Sequence, residues 1–174
     1  CCAARQSWPP RAVGLASSGL PRWTAYLPSA RDEHGAGGAR RDVIYAADTH
    51  ALVFFATGQL RRMSPRCRDI FRRAEETRDR VHVPAVCFFE IALLLERGRL
   101  GSRIDFDAWH DLVAAHPGLP IEPLGWDDIR EARGLTGLVD PFDRLIAGTA
   151  LRLDVPLLTN DERIRRSGLV RTVW

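Results

Sequence analysis

The sequence contains no lysine: all 25 of its basic residues are arginine. That absence excludes any mechanism built on a lysine amine, including a receiver-type phosphorylation switch, which places acids at strand ends but needs a lysine beside them. It leaves polyanion binding open, because arginine keeps its charge in every environment and grips phosphate with a bidentate fork. Methionine occurs once, as Met63, and cysteine four times with no C-x-x-C spacing. A structural zinc site and a dithiol redox motif are thereby excluded, and Cys67 and Cys87 read as small buried hydrophobes. No apolar run approaches the roughly 20 residues needed to cross a bilayer, and the first residues lack the layout of a secretory signal, so a cytoplasmic protein is expected.

Charge is unevenly distributed. Residues 1–42 hold six arginines against three acids, which accounts for the whole formal charge of +3; from Val43 onward 19 arginines face 19 acids. The basic balance is a property of the first segment and not of the remainder. That first segment mixes Pro9, Pro10, Pro21 and Pro28 with Gly, Ser and Arg, shows no helical or strand period, and ends in Gly35-Ala36-Gly37-Gly38. It reads as a disordered or non-native leader, with translation expected to begin at Val43. Residues 43–174 read as one domain.

From Val43 the pattern alternates. Val43 to Ala47 forms a buried-strand candidate closed by Asp48, with an apolar helical segment following. Ser64-Pro65 supplies an N-cap and an N1 proline for a helix to about Thr77, with Arg66, Arg72 and Arg73 on its outer face. Val81–Val83 reads as a strand, and about Ala85 to Arg97 as a helix too apolar to leave much of it exposed, closed by Gly98. Further helices are predicted over Asp105–His116 and Trp126–Arg133, from Asp140-Pro141 to about Leu153, and over Asp161–Ser167. Short strands are predicted over Pro120–Leu124, Val155–Leu158 and Leu169–Val173. Strands alternating with helices predict an α/β sandwich on a parallel sheet.

Five carboxylates stand where apolar runs give way to helices: Asp48, Glu90, Asp140, Asp143 and Asp161. Oxygen-only donors suit a hard cation such as Mg²⁺ or Mn²⁺ beside a phosphate-bearing substrate. In an open parallel sheet, groups at the carboxyl ends of strands converge, which allows Asp48 and Asp161 to meet. Each acid also has a plain structural reading. Asp48 is as well placed to cap a helix as to bind a metal; capping accounts for Asp140; Thr159-Asn160-Asp161-Glu162 has the form of a capping box that leaves Asp161 unexplained. Asp143, in the first turn of its helix, is favoured as a ligand. Glu90 sits among Phe88, Phe89, Ile91, Leu93 and Leu94, where a carboxylate is costly without a cation, an arginine or a hydrogen-bond donor. His50, beside Asp48, reads as a surface or capping residue, and its presence two residues after an acid argues against a haloacid-dehalogenase-like phosphatase, which needs an aspartate there.

Taken together, Asp48-Thr49-His50-Ala51-Leu52, Glu90-Ile91-Ala92 with Gly98-Arg99-Leu100, Asp140-Pro141-Phe142-Asp143-Arg144-Leu145-Ile146-Ala147 and Thr159-Asn160-Asp161-Glu162-Arg163-Ile164 resemble, in order, the motifs of PIN-domain ribonucleases of the VapC toxin type. The resemblance covers nearly everything from Val43 to Trp174. It departs where Pro84 and Cys87 stand in place of the serines that commonly open the glutamate-bearing helix, and in the leader. The resemblance implies a three-layer sandwich with a central, roughly five-stranded parallel sheet, and a Mg²⁺- or Mn²⁺-dependent endoribonuclease leaving a 5′-phosphate and a 3′-hydroxyl. Asp48, Glu90, Asp143 and Asp161 would be its catalytic and metal-holding residues, with Asp140 as a neighbour. Thr49, Arg144, Thr159 and Arg163 are candidates for contact with RNA. An antitoxin of the VapB type and a homodimer are the implied partners. A PIN-like module that binds RNA or protein without cutting is the alternative, although a pure binding module has no use for a repulsive acidic cluster.

Overall fold

The structure, a computed structural model, describes residues 43–100 and 105–174. The leader expected over residues 1–42 lies outside them. Five strands, β1 (Ile44–Ala47), β2 (Arg80–Pro84), β3 (Ile121–Glu122), β4 (Leu157–Leu158) and β5 (Thr172–Val173), form one sheet in the order β3-β2-β1-β4-β5. Every pairing is parallel, with Ala46 opposite both His82 and Leu157. Among the described residues seven α-helices flank the sheet: α1 (Thr49–Ala56), α2 (Pro65–Glu75), α3 (Ala85–Glu96), α4 (Phe106–Ala114), α5 (Trp126–Gly134), α6 (Pro141–Arg152) and α7 (Glu162–Ser167). This is the parallel α/β sandwich that the alternating pattern predicts.

The chain leaves β1 toward β2 and β3, then returns to the other side of β1 as β4. The order reverses between β1 and β4, and a crevice opens at the carboxyl ends of strands flanking such a reversal. Asp48 follows β1 and Thr159 follows β4, so both stand at that reversal. The two-residue outer strands are much shorter than the apolar runs that predict them. Pro120, before the edge strand β3, and Pro156, before the inner strand β4, contribute only carbonyls, to Val83 and Ala46 respectively, because proline has no N–H to donate.

The core holds Tyr45, Ala46 and Ala47 of β1, Val81 and Val83 of β2, and Leu157 and Leu158 of β4, covered by helix residues such as Leu52, Phe71, Ile91 and Ile146. Cys67 and Cys87 are free and fully buried within it, and burial alone pushes the Cys67 thiol up to about 12. Ser64 caps α2 by accepting from the Cys67 amide at 3.1 Å, as its sequence signature predicts. Two expectations are corrected. Arg73 is turned toward the buried Asp79, donating from Nε at 2.6 Å, where an outer-face residue was expected. Phe89, expected to lie with the apolar interior of α3, is 60% exposed, because the buried stripe of that helix runs through Val86, Cys87, Phe88 and Ile91.

Helix α6 carries the Asp140 and Asp143 motif, and its depth is set by contact with α5. Gly148 sits so close to α5 that a Cβ there would lie 2.7 Å from the Asp128 carbonyl oxygen and 3.0 Å from the Ala132 amide. The same two helices are tied by ions. Arg152 donates from Nε to Asp128 and from Nη2 to Glu122, each at 2.7 Å, while Glu122 also meets His82 Nδ1 at 2.6 Å and Asp128 accepts the Gly125 amide at 2.8 Å. This network links β2, β3, α5 and α6.

Gly148→Ala is expected to cost about 1–3 kcal/mol, since backbone and not a flexible side chain blocks the new methyl, read as a lower urea midpoint at unchanged slope. Burial pushes the Glu122 and Asp128 carboxyls upward, but the hydrogen bonds from Arg152, with those from His82 to Glu122 and from Gly125 to Asp128, outweigh it and hold both below their ordinary values. A depressed native pKa means the unfolded chain binds more protons in the acid range, so stability rises with pH there. The contribution is complete above about pH 5 and is lost as pH falls through the two depressed values. Urea titrations between pH 2 and 6 should show this loss, and Arg152→Met should flatten it.

Candidate functional site

Asp48 is the residue next to the end of β1, and its main chain continues the sheet, the amide donating to the Leu158 carbonyl at 3.1 Å. It occupies the N-cap position of α1 but makes no side-chain capping bond. Its carboxylate, 3% exposed, instead accepts the Thr159 hydroxyl at 2.7 Å, a contact spanning 111 residues. Of the two readings open from sequence, side-chain capping is therefore absent. Burial pushes the Asp48 pKa up, and Glu90 adds to the rise, against the opposing pull of the Thr159 hydrogen bond and of nearby His50.

Glu90, half-buried on α3, accepts the Thr49 hydroxyl at 2.6 Å. Among the described residues no arginine pairs with it. Thr49 and Thr159 thus act as a matched pair: each is fully buried and each donates its hydroxyl proton to one acid. A donor with a fixed orientation holds a carboxylate in one rotamer while leaving its second oxygen available.

Asp140 caps α6, accepting the Phe142 amide at 2.8 Å, as its Asp-Pro signature predicts. Asp143 lies in the first turn of the same helix. Its pKa is pushed up to about 7, first by burial and then by the negative charges of Asp140, Asp161 and Asp48, with Arg163 opposing. Four acids from three separate segments therefore feel one another at Asp143. Asp48 in turn feels the charge of Glu90.

Asp161 corrects the capping assignment. Asp161, and not Thr159, is the N-cap of α7, its Oδ1 accepting the Arg163 amide at 2.7 Å and the Ile164 amide at 3.4 Å. Thr159 receives the Asp161 amide at 3.0 Å while donating to Asp48. Burial raises the Asp161 pKa, but the Arg163 side chain and these amides outweigh it and leave the group below its ordinary value. Arg163 reaches Asp161 Oδ2 at 3.2 Å and remains 72% exposed. Arg144 is turned away from such a role, donating from Nε to the Leu138 carbonyl and from Nη2 to the Thr136 carbonyl at 3.4 Å, so it staples the loop entering α6. Arg166 is paired with Glu162, and Arg165 reaches the Asn160 side chain.

The donor set is carboxylate oxygen, which fits Mg²⁺ or Mn²⁺ and not a thiolate- or imidazole-seeking metal. The rise at Asp143 marks a place where a cation would relieve repulsion. Among the described residues no three Asp, Glu, His or Cys side chains are drawn together as a ready-made cage. A hard cation that keeps several of its waters and binds through one or two carboxylates has no need of one.

A carboxyl whose native pKa is raised holds a proton that the unfolded chain releases, so stability falls as pH rises from about 4 to about 7 and is level above. Without added metal, Asp143→Asn is therefore expected to raise the urea midpoint at pH 8 and to leave it nearly unchanged at pH 4. Carboxyl-carbon NMR should place the Asp143 titration near neutrality, and Asp140→Asn or Asp161→Asn should move it down.

A family model described as PIN domain matches residues 45–168. Among solved structures, the fold is similar to a chain of VapBC2 from Rickettsia felis bound to a promoter DNA fragment, at 14% identity and a TM-score of 0.55, covering 75% of this chain and 98% of that one. It is also similar to a chain of DNA-bound VapBC from Salmonella typhimurium, at 15% identity and a TM-score of 0.53, covering 75% and 97%. A third likeness is to VapBC-1 from nontypeable Haemophilus influenzae, at 17% identity and a TM-score of 0.51, covering 75% and 97%. No curated protein matches the sequence. With the matched span running from within β1 to the end of α7 and containing all five acids, the chain belongs to the PIN-domain family.

Proposed function

We propose that this chain is a metal-dependent endoribonuclease that hydrolyses phosphodiester bonds in RNA and acts as the toxin of a toxin–antitoxin pair. The observation that carries the reading is Asp143, where burial and three neighbouring carboxylates push one acid up to about 7 at the reversal point of the sheet. Such a cluster is costly for the fold and is what a divalent-cation site requires. Membership of the PIN family and the likeness to chains from VapBC complexes support the assignment.

Asp48, Glu90, Asp143 and Asp161 are the catalytic residues. Asp48 and Asp143 would hold Mg²⁺ or Mn²⁺ directly, with Asp140 as a neighbouring charge. The bound ion would supply a lowered pKa for the attacking water and stabilisation of charge on the phosphate oxygens. Glu90 and Asp161 orient water within the site, and one of them accepts the proton released by the nucleophile. Thr49 and Thr159 keep Glu90 and Asp48 in place. Arg163, exposed and already beside an acid, is the arginine best placed to contact a substrate phosphate, and Arg144 serves by fixing the loop before α6.

The nuclease unit is residues 43–174, with residues 1–42 as a leader outside it. A cytoplasmic VapB-type antitoxin would cover the cleft, and a homodimer would form through helical surfaces, with the arginine face of α2 and the apolar helix α3 as the surfaces offered. RNA presented as a single strand or loop suits a shallow cleft better than a duplex does.

The test is cleavage of a structured RNA by the full chain with Mg²⁺, Mn²⁺ or EDTA. Cleavage should require the metal, and Asp48→Asn and Asp143→Asn should each reduce it by about 100-fold or more. Equal cleavage by the variants would place the activity elsewhere.

A further inference from the structure

The loop that follows α1 turns back onto the helix it leaves. Gly58 takes the left-handed conformation at φ +69°, and the Gln59 amide donates to the Phe54 carbonyl at 2.8 Å, so the 3₁₀ turn over Leu60–Arg62 folds against the end of α1. Arg62 is thereby laid over the Phe54 ring, its guanidinium carbon 4.1 Å from the ring centroid. Its Nη1 donates to Gln59 Oε1 at 3.2 Å, and Gln59 Nε2 donates to the Thr57 hydroxyl at 2.9 Å. A guanidinium fixed on one face by an aromatic ring and at one nitrogen by an amide is oriented in advance, with N–H groups left over for an acceptor. Arg61 and Arg62 are exposed, wall a shallow pocket of about 420 Å³ with Gly58, Gln59 and Leu60, and pair with no carboxylate among the described residues. By contrast Arg72, Arg73 and Arg78, further along the chain, each meet an acid. Two uncompensated cations beside one pocket attract an anion.

Two routes of contact join this pocket to the acids. His50 and Phe54 are four residues apart and share a face of α1, with ring centroids 6.1 Å apart, and His50 is close enough for its charge to act on Asp48. On the other side Phe54 meets Trp174 edge-on at 6.5 Å. Trp174 follows Val173, whose carbonyl accepts the Thr159 amide at 3.1 Å, and Thr159 donates to Asp48. The helical rise sets Phe54, and Arg62 upon it, about 9 Å along α1 from Asp48.

Resting on the ribonuclease reading above, we propose that Arg62, with Arg61, forms a second phosphate subsite that grips the RNA backbone at a linkage beyond the scissile one, on the α1 side of the crevice. Charge argues for this occupant. A polyanion entering a crevice lined by carboxylates is repelled there, so it must be held by cations placed outside the cluster and within reach along the strand. Form argues for it as well. A planar guanidinium fork matches two oxygens of one phosphate, and the rest of the pocket wall is Gly58, Gln59 and Leu60, which offers little apolar area for a helix to cover. A phosphate contact fixes where the strand lies and carries no sequence information. The subsite therefore sets register and favours strands long enough to span both places, while the chemistry stays with the acids.

The test uses the full chain carrying Asp143→Asn, so that RNA survives, in Mn²⁺, with fluorescently labelled single-stranded oligonucleotides in which each linkage in turn is an uncharged methylphosphonate. Beyond the scissile linkage, at least one further linkage should weaken binding when neutralised. Adding Arg62→Gln should weaken binding by about 5- to 20-fold, make the slope of log affinity against log salt shallower by about 0.7, and abolish the effect of that further linkage. Arg62→Lys should restore the salt slope but only part of the affinity, because the charge returns without the fork. Unchanged affinity and salt slope in Arg62→Gln, or the same set of sensitive linkages, overturns the subsite. So does unchanged RNA binding accompanied by dissociation of a dimer in sedimentation, which would give the pocket to an acidic protein segment. Cleavage by the chain with Asp143 intact, measured in parallel, maps the scissile linkage and reports separately on the ribonuclease reading, since the linkage series depends on binding alone.

Discussion

The mutual repulsion of carboxylates gathered at the reversal point of a parallel sheet is the constraint around which this molecule is organised. Burial disfavours a charged carboxylate and like charges add to the effect, and here burial first, then the charges of Asp140, Asp161 and Asp48, raise Asp143 to about 7. The fold offsets this with devices placed around the acids. Two buried threonine hydroxyls donate to Asp48 and Glu90, amides at the start of α7 donate to Asp161, and the Phe142 amide at the start of α6 donates to Asp140. Asp48, Glu90 and Asp140 are thus oriented by neutral donors, which steady their positions without cancelling their charge, whereas Asp161 also meets the Arg163 guanidinium.

The scaffold that carries these devices is stiffened at a distance from them. The Arg152 network joins β2, β3, α5 and α6, and Gly148 lets the backbones of α5 and α6 come close. Since α6 also bears Asp140 and Asp143, the depth at which α6 docks decides how far those carboxylates reach toward Asp48. A charged network far from the acids and a single glycine therefore act on the same geometry that brings the acids within range of one another.

The parts of this arrangement that depend on neighbours in the chain were legible before any coordinates. Ser64-Pro65 and Asp140-Pro141 cap their helices as written, and the alternation of apolar runs with helical segments gave the order of strands and helices. What sequence could not display are contacts made by long-range folding. Thr159 looks like the cap of α7, but the register of β4 against β1 brings its hydroxyl to Asp48, and the capping passes to Asp161. Glu122, Asp128 and Arg152 lie apart in the sequence and meet only where the sheet edge and two helices come together. Arg144 follows Asp143 in sequence, which suggests a phosphate contact, and the fold shows it also donating to the Leu138 and Thr136 carbonyls of the loop before α6. Phe89 reads as core because hydrophobicity along α3 is nearly uniform and gives no phase to tell the buried side from the exposed one.

The pairing of Arg163 with Asp161 gives the cluster an internal counter-ion that is free to move. The guanidinium stands mostly in solvent on a long side chain, held at one end by a carboxylate only two residues away. A second anion arriving at the rim can recruit this arginine without any rearrangement of the backbone, and Asp161 would still keep its amide donors when the side chain departs. One acid of the group can thereby alternate between a screened and an unscreened state, so the local field follows the position of a single side chain.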